Sequence, residues 1–145
     1  MAGSSGISGG QAAGGAAAIA GGIISARGHY MNGVSAYERG QIEASQELQD
    51  THYQIQALQR QAIEQLHYQF AQVGASGTQF TGSNMLVAMK TLNDLEEDKT
   101  KMDRESKKRA YSLLKMGADE FNSSMNAATG SLLQGIGQAA SIMVG

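Results

Sequence analysis

Cysteine, proline and tryptophan are missing from the 145 residues, and aromatic residues make up only 6%. Each absence excludes something. Without cysteine there is no disulfide, no thiolate nucleophile and no cysteine-bound zinc. Without proline, long helices run uninterrupted. With few aromatics, little large apolar volume is available to fill a globular core. Charge is absent as well, but locally: residues 1 to 26 and 121 to 145 hold no Asp, Glu, Lys or Arg, so all 11 basic and 13 acidic side chains fall between them. The net charge of −2 supplies no overall attraction to nucleic acid. The N-terminus lacks the basic leader of a secretory signal, so the opening segment is expected to belong to the working protein.

What is plentiful is glycine, at 19 residues, and its placement organises the chain. The stretch from Val73 to Ser83 carries Gly74, Gly77 and Gly82, which permit the positive φ values of a tight turn, and Ser83 can cap a following helix. No Lys-Ser/Thr pair follows these glycines, so the stretch reads as a helix-to-helix loop and not as a phosphate cradle. Residues 1–10 are too glycine-rich to hold a helix unaided and are expected to fray. Residues 1–33 form a Gly/Ala-rich arm, charge-free up to Ala26, with a kink or a loop from Arg27 to Asn32, and residues 34–73 form the first long helix. The turn spans 74–83, the second long helix 84–128, and an apolar arm 129–145.

Both helices carry one thin apolar stripe at steps of three and four: Ile55, Leu58, Ala62, Leu66, Phe70 and Val73 in the first, and Met85, Met89, Leu92, Leu95, Met102, Ala110, Leu113, Gly117 and Phe121 in the second. Folded back about the turn, facing positions add to roughly 157 if the stripes are to match. Phe70 then faces Val87, Leu66 faces Leu92 or its neighbour, Ala62 faces Leu95, and Ile55 faces Met102. The same register brings the two charge-free ends together. The expected fold is therefore all-α, an elongated antiparallel helical hairpin with Gly/Ala-rich apolar terminal arms. Two thin stripes bury too little to hold so long a hairpin, and oligomerisation is expected to stabilise it. Stripe steps that recur after eleven residues, Ile55 to Leu66 and Met102 to Leu113, favour nearly straight packing.

The residues offer little chemistry. The run from Asp94 to Arg109 places Glu97 before Lys101, Asp103 before Lys107 and Glu105 before Arg109, the favourable order for side-chain pairs on a solvated helix. A phosphate-binding patch from Lys99 to Arg109 is the sharper alternative, opposed by the interleaved acids and by the lack of nearby stacking aromatics. Glu96, Glu97 and Asp98 are consecutive on an exposed helix and point different ways, which does not suit glycosidase-like acid–base work. His29, His52 and His67 lack metal-ligand spacing, and each precedes a tyrosine, as suits a packing boundary. No catalytic, cofactor-binding or metal site is expected.

The terminal arms are the most informative remainder. Ile19, Ile23 and Ile24 in one, and Leu132, Leu133, Ile136, Ile142 and Val144 in the other, stand among Gly, Ala, Ser and Gln. Neither arm offers the roughly 20 predominantly apolar residues of a lone span. Two alternatives stay open: an oligomer interface in water, or paired arms repeated around a ring with an apolar outer face and a polar lumen.

This layout resembles the small internal virion, or ejection, proteins of short-tailed bacteriophages, of the internal virion protein B kind. The likeness runs over nearly the whole chain: a Gly/Ala-rich beginning, a Gln/Glu-rich helix, the bend Gly74-Ala75-Ser76-Gly77 with Thr81-Gly82-Ser83, a charged helix, and a Gly/Ser/Ala-rich end. Residues 70–92 carry most of it. Where related sequences often have Gly-Ser-Pro-Leu, this chain has Gly82-Ser83-Asn84-Met85. The resemblance implies a non-enzymatic protein stored in the capsid core near the portal and ejected to help build a channel for DNA through the host envelope, the outer membrane in particular. It implies as partners further copies of the chain, other ejection proteins and the portal, with DNA as passenger and not as a sequence-specific ligand. The alternative is a helical scaffold or needle-like subunit of a virion or secretion assembly without membrane contact.

Overall fold

Two helices account for nearly all of the described residues: α1, Gly9–Ala75, and α2, Ser83–Val144. The computed structural model describes residues 9–77, 79 and 82–144, so the fraying expected before residue 9 lies outside the described residues, as do Thr78, Phe80 and Thr81 of the bend. α1 has no break at Arg27–Gly33, correcting the expected kink or loop. The reason is that a glycine interrupts a helix only when it leaves helical φ, and the only positive-φ residues described are Gly77 and Gly82. For the same reason Gly74 belongs to the last turn of α1 and not to the bend. Its carbonyl accepts the Gly77 N–H at 3.3 Å while the Gln72 carbonyl accepts the Ser76 N–H at 3.0 Å, so Gly77, at φ 69°, is the helix terminator. At the start of α2 the Leu86 N–H donates to the Gly82 carbonyl at 3.1 Å. Gly82, and not Ser83 as expected, therefore holds the cap position, because the capping residue is the one whose carbonyl accepts the first helical bond.

The chain packs as two units, one of residues 42–113 and one joining the residues up to Gln41 with those from Leu114. In the 42–113 unit the two helical segments run antiparallel. Glu47 and Arg109, whose numbers add to 156, form an ion pair at 2.6 Å, and the Ser106 hydroxyl donates to the Glu47 carbonyl at 3.4 Å. The seam is made of small residues: Ala44, Thr51, Ala62, Ala88, Ser106 and Ala110 are buried, with Leu66 as the one large buried side chain among the described residues. Ile55, Leu58, Leu95 and Met102, expected here, are half-buried at its edges.

Phe70, Val87 and Leu92 correct the expectation, being 48%, 52% and 51% exposed. The physical reason lies in the width of the seam. Alanine and serine lines let the helices approach closely, and a close pair leaves no room for bulky side chains between the axes, so these rotate to the flanks. The buried lines repeat at eleven residues, as Ala44–Ile55–Leu66, Thr51–Ala62–Val73 and Ala88–Lys99–Ala110, each carrying buried or half-buried positions throughout. Eleven residues in three turns is 3.67 per turn, close to the natural helix, so seam residues stay aligned without strong supercoiling.

The other unit shows the same logic in a smaller-grained seam. Gly33, Ala36, Gly40, Gly117, Ala128, Gly135 and Ala139 are buried. Backbones touch where glycines meet: a Cβ built on Gly22 would lie 3.1 Å from the Gly135 Cα and 2.9 Å from the Ser131 carbonyl oxygen. The Ser25 hydroxyl donates to the Ser131 hydroxyl at 3.3 Å, and Ser131 in turn donates to the Ala127 carbonyl. Because the chain has no cysteine, this contact gives a clean test. Oxidised Ser25→Cys/Ser131→Cys protein should form one intramolecular disulfide in high yield, whereas Ser25→Cys/Ser123→Cys should stay reduced; equal yields in non-reducing electrophoresis would refute this pairing.

Candidate functional site

The unit formed by the chain's two charge-poor ends is the place where sequence and geometry single out a surface. Its seam begins with composition: Gly14, Gly22 and Gly33 on α1, and Gly117 and Gly135 on α2, each meet an atom of the opposite segment within 3.4 Å of where a Cβ would stand. Ile142, expected at an interface, packs inward against Gly14, its Cγ2 3.4 Å from the built Cβ position. Phe121 is half-buried and meets Tyr37 with ring centroids 6.1 Å apart in a tilted arrangement. The seam glycines thus create the close approach that pushes large side chains outward.

Those outward side chains sort to one side. Ile19, Ile23 and Tyr30 flank the α1 seam line on the side of increasing helical rotation, and Leu132 and Ile136, with Met125 beyond, flank the α2 line in the same sense. In an antiparallel pair these two flanks share a face. Ile23 and Ile136 are 54% and 56% exposed, and Leu132, nearer the seam, is 38% exposed. Ile24, at 72%, and Leu133, at 65%, point away from the seam on the backs of α1 and α2. The side chain of Val144 lies outside the described residues. The opposite flank is different in kind: Gly21, Ser25, Ser131, Gln134 and Gln138 line a shallow groove whose floor is Gly22 and Gly135. One face is aliphatic and aromatic, the other small and hydrogen-bonding.

No charged side chain lies between Gln11 and Ala26 or after Glu120. Covering the apolar face therefore costs no desolvation of an ion, which is the dominant penalty when charged surfaces are buried. Tyr30 and Met125 belong to this face and were not among the expected residues. The signal was present: Tyr30 stands seven residues after Ile23, and Met125 eleven before Ile136. The expected turn residues Gly77 and Gly82 sit in the other unit's bend and form no part of this surface.

Among the described residues, no cluster of three or more His, Asp or Glu could hold a metal ion. None of their helices is long and apolar enough to cross a membrane. His52 bonds Gln56 Nε2 at 2.9 Å through its own Nε2, a contact within one helical turn. Glu96 pairs with Lys99 at 3.2 Å on exposed helix surface. Comparison of the chain with protein families, with curated proteins and with solved structures returns no match.

Proposed function

We propose that the chain is a structural, non-enzymatic subunit that works as an assembly, of the kind stored inside a phage capsid near the portal and ejected to help form a channel for DNA across the host envelope. The observation that carries this reading is the two-faced unit built from the chain's charge-poor ends. Its apolar face suits a neighbouring subunit or hydrocarbon, and its Ser/Gln groove suits water. The layout of residues 70–92 supports it as a resemblance. Because no single described helix can span a bilayer, passage through lipid would be shared among several hairpins arranged around a lumen, with copies of the chain or other ejected proteins as neighbours.

That same absence of a span-length apolar helix favours the second reading, a helical scaffold or needle-like subunit without membrane contact. Particle composition separates the two. Quantitative mass spectrometry of purified particles before and after triggered DNA release should find the chain in full particles and missing from emptied ones. Retention in emptied particles supports the scaffold, and absence from full particles contradicts both.

A further inference from the structure

The charged face of α2 in the 42–113 unit carries an uneven distribution of partners. Lys99, Lys107 and Arg109 each hold a carboxylate, from Glu96, Asp103 and Glu47 respectively. Lys101, Arg104 and Lys108 hold none among the described residues, and all three are exposed. They differ from the paired set in position. Steps of three and four place them in one line on the side of α2 turned away from the seam, where Ser106 and Ala110 are buried. Glu97 stands in that line one turn before Lys101 and Glu105 borders it, so Glu97, Lys101, Arg104, Glu105 and Lys108 together carry a net charge of +1. Tyr111, 70% exposed, flanks its C-terminal end, and shares a shallow depression with Arg104, Lys107 and Lys108.

We propose that this line binds nucleic-acid phosphates without regard to sequence. Successive cations stand ~4.5 and ~6 Å apart along the helix axis, a spacing on the scale of one to two phosphates at about 3.4 Å of axis each along a strand. Three unpaired cations in a row suit a linear polyanion, which offers a charge at every step, and Tyr111 adds an aromatic face on which an unpaired base can stack. From Thr100 to Lys108 the line has no large apolar side chain to anchor a protein partner or enter a lipid bilayer. The proposal concerns this unit alone and holds whatever the charge-poor unit does.

The test is fluorescence anisotropy of the full chain with a short labelled DNA, as duplex and as single strand, at several salt concentrations. Wild type should bind at low salt, with the logarithm of the binding constant falling against the logarithm of salt at a slope of about −2 to −3, as for three phosphate contacts. Lys101→Gln/Arg104→Gln/Lys108→Gln should weaken low-salt binding at least tenfold. Lys99→Gln/Lys107→Gln/Arg109→Gln, which removes the same charge from the paired set, should retain most of it. Circular dichroism of both variants checks that the helices persist. No binding by wild type, or equal loss in the two triple variants, overturns the proposal. So does stronger binding to phosphatidylglycerol vesicles than to DNA that the first triple variant abolishes, which would assign the line to lipid headgroups.

Discussion

Leucine at Gly22 or at Gly135 should destabilise the charge-poor unit by about 3 kcal/mol or more, the largest stability effect expected from any single substitution in the chain. The two glycines meet backbone to backbone: a Cβ at 135 would stand 2.9 Å from the Ala18 carbonyl oxygen and 3.1 Å from the Gly22 Cα. A flexible side chain could swing aside from such a contact, but a backbone cannot, so the helices must separate along several turns. Alanine at either position should already cost about 1–3 kcal/mol. The same exchange at Gly28 or Gly130, where nothing lies within 4 Å, should have the opposite sign and stabilise by about 0.5–1 kcal/mol each through helix propensity. Urea unfolding at fixed protein concentration, followed by circular dichroism, measures both. If Gly22→Ala and Gly28→Ala shift stability alike, the close seam is refuted.

Glutamine at Ile23, Tyr30 and Ile136 together should dissolve self-association while leaving helicity intact. Each side chain is about half exposed in the single chain, so its replacement removes little from the hairpin itself. In an assembly the same side chains are covered, and burial of each is worth about 1.5–3 kcal/mol. Losing three should weaken association by at least about 4 kcal/mol, roughly a thousandfold. Sedimentation velocity reads this directly as a shift from oligomer to single chain. Glutamine at Ile142, which packs on Gly14, should instead act on unit stability. An Ile142→Gln variant that dissociates the oligomer without destabilising the unit would place the contact surface elsewhere.

The helices were legible because proline is absent and the three-and-four pattern is long. The pairing register near 157 was legible because a turn between residues 73 and 84 sets that sum, with which the two stripes and the two charge-free segments agree, and Gly22 with Gly135 adds to that number. The seam was misread for one physical reason. A search for large apolar residues assumes that bulk marks the core, whereas here bulk marks the flank. Phe70, Val87 and Leu92 were placed inside on that assumption, while Ala44, Thr51, Ala88 and Ser106 do the packing. Helix propensity misled in the same direction at Gly28 and Gly33, where glycine suggested a kink. Gly33 is instead a contact residue, with Ser124 Cβ 2.8 Å from its built Cβ position. The eleven-residue recurrence was visible in Ile55 to Leu66, but that it runs through alanine, glycine and serine is apparent only with burial in hand.

Dye release from lipid vesicles tests the central claim most directly, because it asks whether the two-faced, charge-poor unit acts on a membrane through its apolar face. Wild-type protein should release an entrapped dye, and Ile23→Gln/Tyr30→Gln/Ile136→Gln protein, equally helical, should not. Vesicles that stay sealed at saturating wild-type protein, or that leak equally with the triple variant, would contradict the account.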